Sequence, residues 1–137
     1  MADLYPKPSW NFVFGEASLD ERVGVYSFAR FLPRFTLERR PAPVKLLRRG
    51  LAVLSHEAGH MFGITHCVRY ECLMNGSNSL DELDRQRATL CPNCLHKLAW
   101  NVGFDVRAHY RGLRDFYQRE RLEDLARFAA QRLQRLG

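Results

Sequence analysis

The 137-residue sequence predicts a mixed α/β (α+β) domain. Three features carry this reading: two short aromatic or β-branched runs near the N-terminus, one long amphipathic pattern in the middle, and a helical C-terminal part. Trp10, Phe12 and Phe14 alternate with Asn11 and Val13, the pattern of a strand with one aromatic face, and Gly15 follows them. Residues 23–28 read the same way, and the polar stretch 15–20 connects the two runs. After Phe31, Pro33, Pro41 and Pro43 exclude a continuous helix, so a loop region is expected there.

From about Val44 the period changes. Leu47, Leu51, Leu54, Ala58 and Met61 recur at helical steps and form one stripe, which Gly63 ends. The segment 67–94 shows no helical stripe except at 79–87 and is expected to be a metal-stapled loop. A further helix is expected from Pro92 to about Asn101. Beyond Gly103, Leu113, Phe116, Leu122, Leu125, Phe128 and Leu133 continue helical spacing, with packing as their role.

Composition favours a single compact domain, residues 1–137, because 46% hydrophobic content over this length supports a real core. The net charge is +6, from 21 basic and 15 acidic residues. The basic residues gather in 39–49 and towards the C-terminus, where Glu120, Glu123 and Asp124 interrupt them. A solvated basic surface is therefore expected in preference to a nucleic-acid site. No stretch resembles a signal peptide, and no apolar run approaches the ~20 residues of a membrane span. The expectation is a cytoplasmic protein without a membrane partner. Nothing in the pattern fixes an oligomeric state.

The chemistry concentrates in His56-Glu57-Ala58-Gly59-His60. Residues four apart on a helix share a face, so both imidazoles can bind one zinc, while Glu57 sits beside them as a base outside the coordination shell. Gly63 can adopt the left-handed conformation that turns the chain back and returns His66 as a third ligand. Three histidines leave one tetrahedral position for water. The expected reaction is hydrolysis of a peptide bond by a zinc-bound water that Glu57 activates. His96 and His109 lack such company and are read as ordinary histidines.

Cys67 and Cys72 form one pair and Cys91 and Cys94 another, a spacing that resembles four-cysteine zinc sites. Such a shell is closed, so this second zinc is expected to be structural, tying the loop to the helix that follows. Two disulfides are the alternative. Because Cys67 follows His66 directly, the structural site is expected to place the third histidine as well.

The run from His56 through His66-Cys67, followed by Cys72-Leu73-Met74 and Cys91-Pro92-Asn93-Cys94, resembles the archaemetzincins of the metzincin clan, as does the segment 23–31. The likeness covers about residues 3–115. It implies a twisted sheet with the active-site helix over a cleft and a smaller, mostly helical part below. Residues 1–66 would supply part of the sheet and that helix, and 67–137 the zinc-stapled helical part. It also implies that Met74 lies in a tight turn forming a floor under the catalytic zinc. By the same analogy, 23–31 contains the edge strand against which an extended peptide pairs. Family domains carry a strand, a helix and another strand ahead of the segment that starts here at Asp3-Leu4-Tyr5-Pro6, so that part of the sheet is expected to be missing. The expected function is a peptidase with two zinc ions acting on a peptide or protein substrate. The alternative is a catalytically impaired or truncated, zinc-stabilised interaction module derived from such an enzyme.

Overall fold

The computed structural model describes residues 3–4, 12–32 and 41–137. Along the chain it forms strands β1 (Gly15–Ala17) and β2 (Gly24–Tyr26), a short 3-10 turn at Ala29–Phe31, and five helices. The helices are α1 (Pro43–Met61), α2 (Leu80–Arg85), α3 (Pro92–Val102), α4 (Val106–Arg119) and α5 (Glu123–Arg135). The strands pair antiparallel, with Gly15 opposite Tyr26 and Ala17 opposite Gly24. Among the described residues the sheet has these two strands, with Leu4 bridged to Val13 beside them.

The first strand lies later than the aromatic alternation predicts. Phe12 and Phe14 precede it, Trp10 and Asn11 fall outside the described residues, and Gly15 opens the strand instead of ending the run. A contact distant in sequence sets this boundary: a Cβ on Gly15 would lie 2.5 Å from Cγ of Glu57, so the strand approaches α1 only where a side chain is absent. The second run is also shorter than expected, because residues 27–28 leave the strand to enter the 3-10 turn. Of the predicted proline-rich loop, residues 33–40 fall outside the described residues.

Helix α1 runs where its stripe predicts. Pro43 occupies its first turn, where a missing N–H costs nothing, and Gly63 at φ 77° follows its end. Its packing is less simple than one stripe. Leu47 and Leu51 pack towards the C-terminal helices, Leu54 is exposed, and the most buried positions are Arg49, Val53, Glu57 and Gly59.

Arg49 is buried because α2 brings it a partner. Its Nε and Nη2 donate to the two carboxylate oxygens of Asp84, each at 2.7 Å. Ser79 caps α2 by accepting from the Glu82 N–H, and Glu82 reaches back to the Asn78 N–H, in the manner of a capping box. The Arg49 hydrogen bonds hold the Asp84 carboxyl below its ordinary range, outweighing its partial burial. A depressed carboxylate pKa stabilises the fold above the unfolded value, and that stabilisation is lost as pH falls through the folded value. Arg49→Leu is expected to cost about 3 kcal/mol, near the low end for breaking a buried pair, since Asp84 keeps Lys45 at 3.3 Å. Urea unfolding checks this, and the difference from wild type should shrink below about pH 4 as Asp84 protonates.

The expected continuous C-terminal pattern is two helices. The chain breaks at 120–122, where Arg121 takes φ 58°, and α4 and α5 fold back on each other. Leu122, Leu125, Ala126 and Ala129 form the core of this hairpin with Tyr110 and Tyr117, two tyrosines outside the predicted stripe. Asp105 caps α4 through the Ala108 N–H, and Arg107 donates to the carbonyl oxygens of Leu136 and Gly137, tying the start of α4 to the end of α5.

Candidate metal centre and active site

His56 and His60 stand one turn apart on α1. Beyond them the Gly63 and Ile64 N–H groups bond back to the carbonyls of His60 and Gly59, so the chain reverses and brings His66 to the same point. Nε2 of His56 lies 3.0 Å from Nε2 of His60 and 3.3 Å from Nε2 of His66. The other ring nitrogens are engaged. Nδ1 of His56 donates to the Leu73 carbonyl at 2.8 Å, and Nδ1 of His60 to the Ile64 carbonyl at 2.7 Å. A carbonyl only accepts, so both rings carry their proton on Nδ1 and turn an Nε2 lone pair inward.

Burial lowers the His56 pKa to about 4 and lowers that of His60 too, which keeps both rings neutral. Converging lone pairs at these distances repel unless a cation lies between them. Tetrahedral zinc with Zn–N near 2.05 Å requires nitrogens about 3.3 Å apart, so the donor set fits that ion.

Glu57 faces the same cavity, which has a volume of about 500 Å³ and is walled by β1, α1 and the segment leading into α2. Burial, followed by the charge of Glu16, raises its carboxyl pKa to about 7. Residues 12–17 line the cavity, so β1 borders it, with Leu4 bridged to one side of that run and β2 paired to the other as an edge strand among the described residues. The reason is the glycine at position 15, which lets β1 come down onto Glu57.

The four cysteines are free thiols, and their sulfurs all lie within 4.8 Å of one another. Sγ of Cys67 and of Cys91 are 4.0 Å apart, about twice a disulfide bond and close to the ~3.8 Å edge of a tetrahedral zinc–thiolate site. Backbone donors point at the sulfurs: the Cys91 N–H and the Met74 N–H reach Cys72, and the Cys94 N–H reaches Cys91. Such donors favour thiolates. The Arg69 N–H is the main cause of a Cys67 pKa lowered to about 7, whereas burial raises Cys72 and Cys94.

The two groups are joined by more than the His66–Cys67 peptide. The Cys67 N–H donates to the Met74 carbonyl, and the fully buried Met74 packs among Ile64, Cys72, Cys91 and Cys94. Its sulfur reaches under α1 at Gly59, where a Cβ would lie 2.5 Å from it. Gly59→Ala is therefore expected to destabilise by about 1–3 kcal/mol through overpacking, despite the better helix propensity of alanine. The shift in urea midpoint measures it.

Several contributing groups escape sequence reasoning. The Leu73 and Ile64 carbonyls belong to the backbone and carry no residue signal. The Gln86 amide reaches the carbonyls of Cys72, Leu73 and Asn75, while the Asn75 side chain accepts from the Cys72 N–H and donates to the carbonyls of Cys67 and Tyr70. Neither side chain stands in a motif. His109 packs against Phe104 and Tyr110 and His96 is exposed; neither belongs to the His56, His60, His66 group.

Residues 2–100 match the family profile described as Peptidase family M54. The human protein archaemetzincin-2 is 43% identical over 137 aligned positions. The chain belongs to the archaemetzincin family. The alignment with the human protein covers 82% of this chain and 38% of that one. An archaemetzincin crystal structure from Methanopyrus kandleri superposes with a TM-score of 0.63 at 40% identity, covering 74% of this chain and 52% of that one. A crystal structure described as a zinc-dependent peptidase from Methanocorpusculum labreanum gives the same TM-score at 36% identity, over 70% of this chain and 49% of that one. The chain thus spans well under two thirds of the length of each of these proteins. No helix among the described residues is long and apolar enough to cross a membrane.

Proposed function

We propose that this chain carries the catalytic centre of a zinc-dependent peptidase, with His56, His60 and His66 as ligands of a catalytic zinc and Glu57 as the base. Cys67, Cys72, Cys91 and Cys94 would hold a second, structural zinc. The convergence of three imidazole nitrogens beside a buried carboxylate is the observation that carries this reading. When bound, the catalytic ion supplies Lewis acidity, polarising a carbonyl and acidifying water.

The chain's own groups supply the rest. Glu57 takes the proton of the attacking water and passes it to the leaving amine, and its placement off the ligand set leaves its oxygens available for both transfers. The Leu73 and Ile64 carbonyls hold the two helix histidines in the tautomer that presents Nε2. The Ser27 N–H donates to the Phe14 carbonyl and the Ser18 N–H to the Val23 carbonyl, so the peptide groups of Phe14, Glu16 and Ser18 face β2. Those of Gly15 and Ala17 lie on the other edge, the one on which the Val13 N–H bonds the Leu4 carbonyl. Gly63 and Met74 act in support, the first by turning His66 inward and the second by filling the space under Gly59.

The test is the zinc content of the purified wild-type and Glu57→Ala proteins, with hydrolysis of a mixed peptide library by each. Two zincs in both and cleavage by the wild type alone support the reading. Zinc confined to the cysteine group would overturn the catalytic assignment. A second reading, an impaired interaction module stabilised by the structural zinc, is favoured by strand β2, which is exposed throughout. Full zinc loading without hydrolysis would select it.

A further inference from the structure

Three backbone carbonyls of the loop beside the histidines converge on one side chain. Nε2 of Gln86 lies 2.7 Å from the Asn75 carbonyl oxygen, 2.9 Å from that of Leu73 and 3.2 Å from that of Cys72. Carbonyls only accept, so the nitrogen end of the amide faces them, and its two N–H groups serve three acceptors with the longest contact shared. One of these acceptors has a second donor: the Leu73 carbonyl also receives the Nδ1 proton of His56 at 2.8 Å. The group that fixes the His56 ring is therefore itself fixed by Gln86, and by the Leu73 N–H, which donates to the Thr89 carbonyl at 2.9 Å.

Gln86 does not belong to that loop. It caps the end of α2, where its N–H donates to the Glu82 carbonyl at 2.9 Å, and it lines the active-site cavity. Helix α2 is held in turn to α1 by the paired Arg49–Asp84 hydrogen bonds, upstream of His56 on the same helix. The amide thus carries a fixed reference from α1, across α2, to the carbonyl that orients a ring on α1. The Asn75 side chain bonds only within its own loop and moves with it, so it sets no position relative to α1. The His60 ring has no such relay: its acceptor, the Ile64 carbonyl, lies in the turn that ends α1, and Gln86 does not touch it.

We infer that Gln86 is a positioning residue that acts through the Leu73 carbonyl to hold the His56 ring in the orientation presenting Nε2 to a metal. This rests on the zinc-peptidase reading. Removing the amide leaves the Leu73 carbonyl with one donor in place of two, and the consequence falls on His56 while His60 keeps its own support.

The experiment uses Gln86→Met, which keeps the length of the side chain without a donor, and Gln86→Glu, which keeps its shape and replaces the donor by an acceptor. In zinc-loaded protein labelled with ¹⁵N-histidine, the Nδ1 proton of His56 should exchange with solvent faster in both variants, while that of His60 keeps its wild-type rate. Chelator competition should show zinc held about tenfold more weakly at the histidines, as for outer partners of a metal ligand, with the affinity of the cysteine group unchanged. Equal acceleration at both rings, or equal weakening at both zinc sites, makes Gln86 a general brace of the loop and overturns the inference. Wild-type behaviour of either variant overturns it too. A wild type that holds no zinc at its histidines fails the peptidase reading instead; the two ring protons, compared in protein carrying zinc at the cysteines alone, still decide the role of Gln86.

Discussion

If the proposed zinc pair is present, replacing Cys91 and Cys94 together by serine is expected to lower the zinc content from two to at most one per chain, and to weaken the ion that remains. The first half follows from the ligand set: two thiolates of four do not hold a closed zinc site, and about 10–16 kcal/mol of apparent binding energy can reside in such a site. On the two-zinc reading much of it would stabilise the fold here, because Cys72, Cys91 and Cys94 are buried together with Ile64 and Met74. For a chain of this size, each kcal/mol lost moves the thermal midpoint by about 3 °C, so even 5 kcal/mol lowers it by roughly 15 °C.

The second half follows from connectivity. His66 precedes Cys67, the Cys67 N–H is tied to Met74, and Met74 fills the space beneath Gly59 between the two helix histidines. Freeing the loop leaves His66 unplaced and loosens the Leu73 and Ile64 carbonyls that hold the rings of His56 and His60. Competition with a chelator should therefore show weaker binding at the histidines, which still hold all three donors. Unchanged affinity there would refute the coupling.

Glu57→Ala should have the opposite signature: both zincs retained, with hydrolysis lowered by about 10²–10⁴ in kcat/KM, the usual worth of a general base. The side chain is buried against Gly15 and contributes no ligand atom, so its loss should leave metal content intact. Truncation also removes a carboxylate whose charged form burial disfavours, so the melting temperature should hold or rise. Equal loss of zinc and activity would instead make Glu57 a residue that builds the site.

Much of this centre was legible because its information is local. Spacing on one helix brings His56 and His60 together, Gly63 supplies the turn, and the adjacency of His66 to Cys67 already states that two groups of donors share one loop. What escaped depends on contacts between distant segments. The shift of β1 to Gly15–Ala17 is dictated by Glu57, more than forty residues later in the chain, and with it the choice of β1 as the strand beside the cavity. The burial of Arg49 follows from Asp84, 35 residues away. Tyr110 and Tyr117 stand outside the predicted stripe, yet they fill the centre of the C-terminal hairpin because one end of a tyrosine is as apolar as a phenylalanine. The break at Arg121 has no glycine or proline to announce it.

The arrangement of the three histidines also divides their freedom unequally. Two of them ride on the helix that Arg49 anchors to α2, while the carbonyls that fix their rings from behind, Leu73 and Ile64, belong to the segment that carries the third. The positional freedom of the centre is concentrated in the single segment 64–75, closed by Asn75 across Cys67 and Tyr70 and pinned by Gln86. Assembly of the site is in this sense a one-coordinate process: closure of one loop brings in His66 and, through its own carbonyls, sets the rings of His56 and His60. The lifetime of the complete site is then the lifetime of the closed loop, and substitutions that stiffen 64–75 lengthen it without touching a donor atom.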